Sequence, residues 1–286
     1  MEKEKNNKIL GLISLISTGA VDFVRNAFDE QRVTVVYYEE SGDNQGVFCL
    51  AEDDDCAITY AVFTQTHRIE LLLKVIENSI KPYLKADECR ELCCNVYGRN
   101  RGIIEFIRSL GFASDMEGYQ LRYDCGWQIS LDEQSELWER EFMPDMLESF
   151  IDLFEGAYYS LNQDNGWEVD QYRNNPDTFL RALTGYESAA GVQSFWLQNQ
   201  LVGACISEGQ FIRDVVVAPQ YQNCGYGRTI LQSCVKRMSG LYPKGYIYLR
   251  VAASNTGAKR FYERNHFVEC GFFAEHTYPR RTDKAF

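Results

Sequence analysis

Apolar residues recur along this chain in two rhythms that mark out its elements. Phe211 to Ala218 is an apolar, β-branched run stopped by Pro219, which predicts a strand. After a short polar stretch, Ile230, Leu231, Cys234 and Met238 keep the three-to-four-residue spacing of a helix starting near Gly225. Tyr246 to Val251 reads as the next strand, and Asn255 to Phe267 as a helix that Ser254, Asn255 or Thr256 can cap. Ahead of these, the pattern predicts a strand at 137–142, helices at 145–157 and 176–182, and strands at 191–197 and 201–207. The first half predicts one or two helices over 8–29, strands at 33–39, 46–51 and 56–63, and a helix over 68–84. A strand at 91–96, a helix over 101–110 and a closing strand at 119–123 complete it. Strands and helices so mixed predict α+β domains.

At 286 residues the chain has room for two domains of ordinary size. Sliding it by 155 sets Asn100, Gly102, Phe106 and Phe112 on Asn255, Gly257, Phe261 and Phe267 without a gap. The same offset sets Cys56 to Phe63 on Phe211 to Ala218, Gln65 on Gln220, and Leu92 to Val96 on Ile247 to Val251. A register shared over roughly sixty residues predicts a duplication. No Pro/Ser/Gly-rich linker separates the copies, which are expected to meet near 125–134, giving domains of 1–125 and 126–286.

The copies differ where chemistry is expected. In the second, Gln222-Asn223-Cys224-Gly225-Tyr226-Gly227-Arg228 joins a strand end to a helix start. The first N–H groups of a helix lack intrahelical partners and carry the positive end of its dipole, so an anion is favoured there. Gly225 and Gly227 admit it close to the backbone, and Arg228 adds a full charge. The turn lacks the Lys-Ser/Thr of a nucleotide P-loop and the downstream acid of a dinucleotide fold. In the first copy His67-Arg-Ile-Glu-Leu-Leu72 fills these positions, with no glycine and with Glu70 where a phosphate would sit. Asn255, Ala258 and Tyr262 fall on one face of the last helix, whereas Ile107 stands at the position of Tyr262 in the first copy.

Gln222-x-x-Gly225-x-Gly227 after a Val-rich strand resembles the acyl-CoA-binding motif of the GNAT acyltransferases. Asn255-x-x-Ala258-x-x-x-Tyr262 resembles the helix motif of the same family. The resemblance implies two tandem GNAT-like domains, each a mostly antiparallel sheet flanked by helices, the N-terminal one degenerate. It implies an N-acetyltransferase that holds acetyl-CoA on the 222–228 turn, with Asn255 on the cofactor, Ala258 as the gap that admits it and Tyr262 as general acid. Tyr262 has a second reading, a core aromatic whose hydroxyl is satisfied locally. A thioester carbonyl set against backbone N–H groups near Val215, Val216 and Val217 would be polarised for direct attack by an amine. Asp214 and Glu208 are the candidate bases. The position where some family members keep a strand glutamate is Phe211.

Composition narrows the remaining classes. Ten cysteines show no Cys-x-x-Cys pair and only three histidines are present, so no metal site is expected. The cysteines, including the Cys89, Cys93, Cys94 cluster, read as free thiols of a cytoplasmic protein, while Cys224 lies in a turn that can lower a thiol's pKa. The apolar run Ile9 to Ile16 is too short to span a bilayer and reads as a buried first helix. A net charge of −12 argues against a nucleic-acid surface and suits a small cationic amine as substrate. The chain is expected to be a monomer or homodimer. The acceptor is expected beside Tyr158, Tyr159, Trp167 and Tyr172, near Asp164, Glu168 and Asp170, a composition suited to an ammonium group. Two other classes stay open, a non-catalytic acyl-CoA sensor and a tRNA-dependent aminoacyl transferase, which the acidic surface and the intact turn disfavour.

Overall fold

The computed structural model describes residues 2–65, 68–85, 91–99, 101–124, 136–243 and 245–279. The expected junction at 125–134, together with His67, Cys89, Asn100 and Cys125, lies outside the described residues. Contacts divide the chain into two units. One runs from the N-terminus to Gln120 and includes the segment from Cys270 onward, and the other is Leu121–Glu269.

In the first unit the predicted helical stretch is two helices, α1 (Glu2–Ile13) and α2 (Thr18–Asp29). The chain breaks at Ser17, whose hydroxyl oxygen accepts from Ala20 N at 3.0 Å and so caps α2. Strands β1 (Val33–Ser41), β2 (Asn44–Glu52) and β3 (Cys56–Phe63), helix α3 (Ile69–Lys85), β4 (Glu91–Gly98), α4 (Gly102–Ser109) and β5 (Ala113–Tyr123) follow. Helices α1 and α2 bury Ile9, Ile13 and Val24 against Val47, Cys49 and Val62 on one face of the sheet. Helices α3 and α4 bury Leu72, Ile76 and Ile107 against Phe48, Ala61 and Leu92 on the other.

The second unit holds β6 (Trp138–Arg140), α5 (Leu147–Asn165), the single turn α6 (Gln171–Asn174), α7 (Pro176–Ser188), β7 (Val192–Leu197), β8 (Gln200–Glu208) and β9 (Phe211–Val217). Helix α8 (Tyr226–Leu241), β10 (Tyr248–Ala252) and α9 (Thr256–Arg264) come next. Helix α5 runs well past the expected end at residue 157, until Gly166 closes it at φ 68°. Its Phe150, Ile151 and Phe154 pack with Phe179 and Leu183 of α7 on Ala204, Ile206 and Val216 of the sheet. Strands β6 to β9 form an antiparallel run, and β10 joins β9 in parallel.

The final strand, β11 (Phe267–Thr277), drew no sequence prediction. From Phe272 to Thr277 it pairs antiparallel with β4, and so completes the sheet of the first unit. The duplicated register survives folding. Shifted by 155, the bounds of β3, α3, β4 and α4 fall within two residues of those of β9, α8, β10 and α9.

Candidate functional site

The two copies differ most in how their parallel strands part. In the first unit β3 and β4 pair along eight residues, from Cys56↔Glu91 to Phe63↔Gly98, with no gap between them. In the second unit β9 and β10 pair at only two positions, Phe211↔Tyr248 and Ile212↔Leu249, and then diverge. The divergence begins at a bulge. Ile206 faces Asp214 and Ser207 faces Ile212, so Arg213 is an extra residue in β9. Beyond it Ala218 N donates to Val202 O at 2.9 Å, which places Val216 with the residues bonded to β8. By strand alternation the N–H groups of Val215 and Val217 point away from β8, into the gap. A slot with backbone donors along one wall results.

The 222–228 turn closes the wide end of this slot. Gln222 Nε2 donates to Val217 O at 3.0 Å and pins the turn to the end of β9. Asn223 (φ 61°) and Gly225 (φ 89°) both adopt the left-handed conformation, which glycine takes without strain. Gly225 caps α8 with no side-chain acceptor, and the first intrahelical bonds run from Arg228 N and Thr229 N to Gly225 O at 3.1 and 3.4 Å. The N–H groups of Tyr226 and Gly227 precede them and are open to an anion. A Cβ at Gly227 would lie 3.6 Å from both the Phe261 ring and Val217, which is ordinary contact. Packing therefore does not demand glycine at 227, and the bare backbone there leaves room for something outside the chain. Arg228 is exposed at the helix start, as are Asn223 and Cys224, whose thiol donates to Gln222 O at 3.4 Å.

Helix α9 flanks the slot. Asn255 is its cap, and its Oδ1 accepts from Ala258 N at 3.0 Å, so the motif residue has a folding role as well as an amide NH2 to offer. Tyr262 packs between Phe261 and Phe267, with ring centroids 5.3 and 5.9 Å away. Burial, with the nearby Cys205, Asp214 and Cys234 groups, raises its hydroxyl pKa, so it stays a hydrogen-bond donor.

Asp214 faces the α5–α7 side of β9, and its Oδ1 accepts from the Tyr158 hydroxyl at 2.6 Å. Burial raises the carboxyl pKa, and the Tyr158 hydrogen bond opposes that rise. Burial also raises the Tyr158 and Tyr172 hydroxyl pKa values, to which the Asp214 charge adds. Glu208, the other candidate base, is bound by Arg213 at 2.8 Å. The aromatic region expected to hold an ammonium group is split by the fold. Tyr172 stacks into the core against Phe154 and Phe179, whereas Tyr159 faces solvent and its hydroxyl accepts from Gln163. Asp164, Glu168 and Asp170 are exposed.

Among the described residues no group of three or more His, Cys, Asp or Glu is placed to hold a metal ion. No helix among them is long and apolar enough to cross a membrane. Cys49, Cys94 and Cys205 are buried free thiols, the first two pushed up to about 12 by burial.

Residues 131–267 match the Acetyltransferase (GNAT) family. No curated protein matches the sequence. Among solved structures, a GNAT-family acetyltransferase from Colwellia psychrerythraea superposes with a TM-score of 0.52 at 9% identity, covering 85% of this chain and 84% of its own. A Drosophila protein superposes with a TM-score of 0.57 at 10% identity, covering 96% of each chain. At these identities the likeness is one of fold alone. The family match spans the splayed strands and the glycine turn, and over this segment the chain is similar to the GNAT acetyltransferases.

Proposed function

We propose that the second unit transfers an acetyl group from acetyl-CoA to the primary amine of a small molecule by direct attack. The observation that carries this reading is the contrast between the zipped strands of the first copy and the splayed strands of the second. Among the described residues, only the second pairs an extended slot with an anion-binding turn. The turn from Gln222 to Arg228 receives the pyrophosphate, and the slot beside Val215 to Val217 receives the pantetheine arm. Gly227 supplies the space for it, and Asn255 and Ala258 border it from α9.

The N–H groups of Val215 and Val217 are preset donors for the oxygen that gains negative charge during attack. Asp214 takes a proton from the acceptor ammonium on Oδ2, because Oδ1 is held by Tyr158. Its raised pKa brings it nearer the working pH than an ordinary carboxylate, which favours proton transfer. The free amine then forms the new C–N bond as the C–S bond breaks, and the second proton lost from nitrogen passes to the departing thiolate. Tyr262 meets the departing sulfur as a hydrogen-bond donor, the protonated form that its raised pKa preserves. One chain is expected to bind one coenzyme A. Titration calorimetry with coenzyme A tests this: a stoichiometry of one supports the reading, and two equivalents per chain would refute it.

A further inference from the structure

The bulge that opens the slot also builds a second feature on the same unit. Arg213, the extra residue, donates to Glu208 Oε2 at 2.8 Å and sits 5.5 Å from the Tyr186 ring. Tyr186 and Glu208, with Arg181, Leu241 and Tyr242, line a pocket of about 420 Å³. That volume lies in the range of small-molecule sites. Ala182, Gly185 and Ala189 contribute almost no side chain, which leaves the room. Arg181 hydrogen-bonds Thr178 at 3.1 Å and makes no ion pair among the described residues. Glu187, beside Tyr186, accepts from the backbone at Phe142 and Val192 and is not in the lining.

In a chain of net charge −12, the lining carries one guanidinium, Arg181, and one carboxylate, Glu208, which Arg213 binds from outside the lining. Glu208 is already neutralised by Arg213, so Arg181 is the charge without a counter-ion among the described residues. The pocket adjoins the catalytic strand: Glu208 pairs with Phe211, three residues before Asp214, or roughly 10 Å at about 3.3 Å per residue. The Asp214 charge also bears on the Tyr186 hydroxyl.

We propose that this pocket holds the far end of the acceptor and that the acceptor carries a carboxylate there, bound by Arg181. The substrate class is an amino carboxylic acid whose nitrogen and carboxylate are separated by an extended chain. This inference rests on the transferase reading, with Asp214 as the group that meets the nitrogen.

The test measures thiol release from acetyl-CoA with ω-amino carboxylic acids of increasing length, beside alkylamines and diamines of matching length. The expected result is a kcat/KM about tenfold or more in favour of the longer amino acids over the matching alkylamines. Arg181→Ala should bring that ratio close to one, and Arg181→Lys should restore part of it. Arg181 is exposed, so these variants are expected to fold. Alkylamines or diamines used as well as the amino acids, or a preference that survives Arg181→Ala, would overturn the inference and leave the transferase reading standing. No thiol release with any amine would overturn that reading, and this inference with it.

Discussion

Replacing Gly227 by alanine separates a glycine kept for packing from one kept for a ligand. The added methyl would lie 3.6 Å from the Phe261 ring and from Val217, so nothing in the protein must move. Gly227 sits in the first turn of α8, where alanine is the better helix former by up to about 1 kcal/mol. The variant should therefore be as stable as the parent or more so, with a melting temperature raised by up to roughly 2–4 °C for a domain of this size. The same methyl protrudes into the space beside the free N–H groups, and coenzyme A affinity should fall about tenfold or more, equivalent to about 1.4 kcal/mol. Gly225→Ala should behave differently. At φ 89° the side chain costs about 1–2 kcal/mol, so it should lower stability along with binding. Differential scanning calorimetry and titration with coenzyme A read both quantities on each variant. A destabilised Gly227→Ala, or one that binds coenzyme A as tightly as the parent, would refute the reasoning.

Tyr158→Phe deletes the hydroxyl that stabilises the Asp214 carboxylate, and a hydrogen bond to a charged group contributes about 1.5–3 kcal/mol. It should lower stability and push the Asp214 pKa further up, moving the acidic limb of the kcat/KM profile to higher pH; an unmoved limb would remove Asp214 from the base role. Asp214→Asn keeps an acceptor for Tyr158 and should slow transfer by about 10²–10⁴-fold. Because the folded pKa of Asp214 lies above its unfolded value, the native state holds the proton more tightly, and this group's contribution to stability falls as pH rises through the folded value. The variant should thus be more stable than the parent near neutral pH, with the advantage shrinking as pH falls from the folded pKa to the unfolded one and gone below it; urea melts at several pH values check the sign. Tyr262→Phe should lower kcat by about 10–100-fold, as the loss of a hydrogen bond to a charged group implies, while titration finds coenzyme A binding little changed.

The parts of this molecule governed by local rules were legible in its sequence. The apolar run ended by Pro219, the two glycines and the helical spacing from Ile230 to Met238 place β9, the turn and α8 by local physics alone. The internal offset placed the matching elements of the first unit. The bulge at Arg213 was not legible, because it is set by pairing with β8 and leaves no mark in the order of residues. Neither was the Tyr158–Asp214 bond, which joins positions 56 apart through the packing of α5 on the sheet. The aromatic cluster read as a cation site is divided because successive residues of α5 point in different directions: Tyr158 turns to Asp214 and Tyr159 to solvent. Strand β11 pairs with β4, more than 170 residues earlier, which no local pattern announces.

Turnover tests the central claim most directly. The purified chain is incubated with acetyl-CoA and a broad panel of primary amines, thiol release is followed, and the acetylated amine is identified by mass spectrometry. Amine-dependent release, matched one for one by acetylated product and slowed by Asp214→Asn, is the expected result. Tight binding of acetyl-CoA with no amine-dependent release across the panel would contradict it and leave a sensor of acyl-CoA in its place.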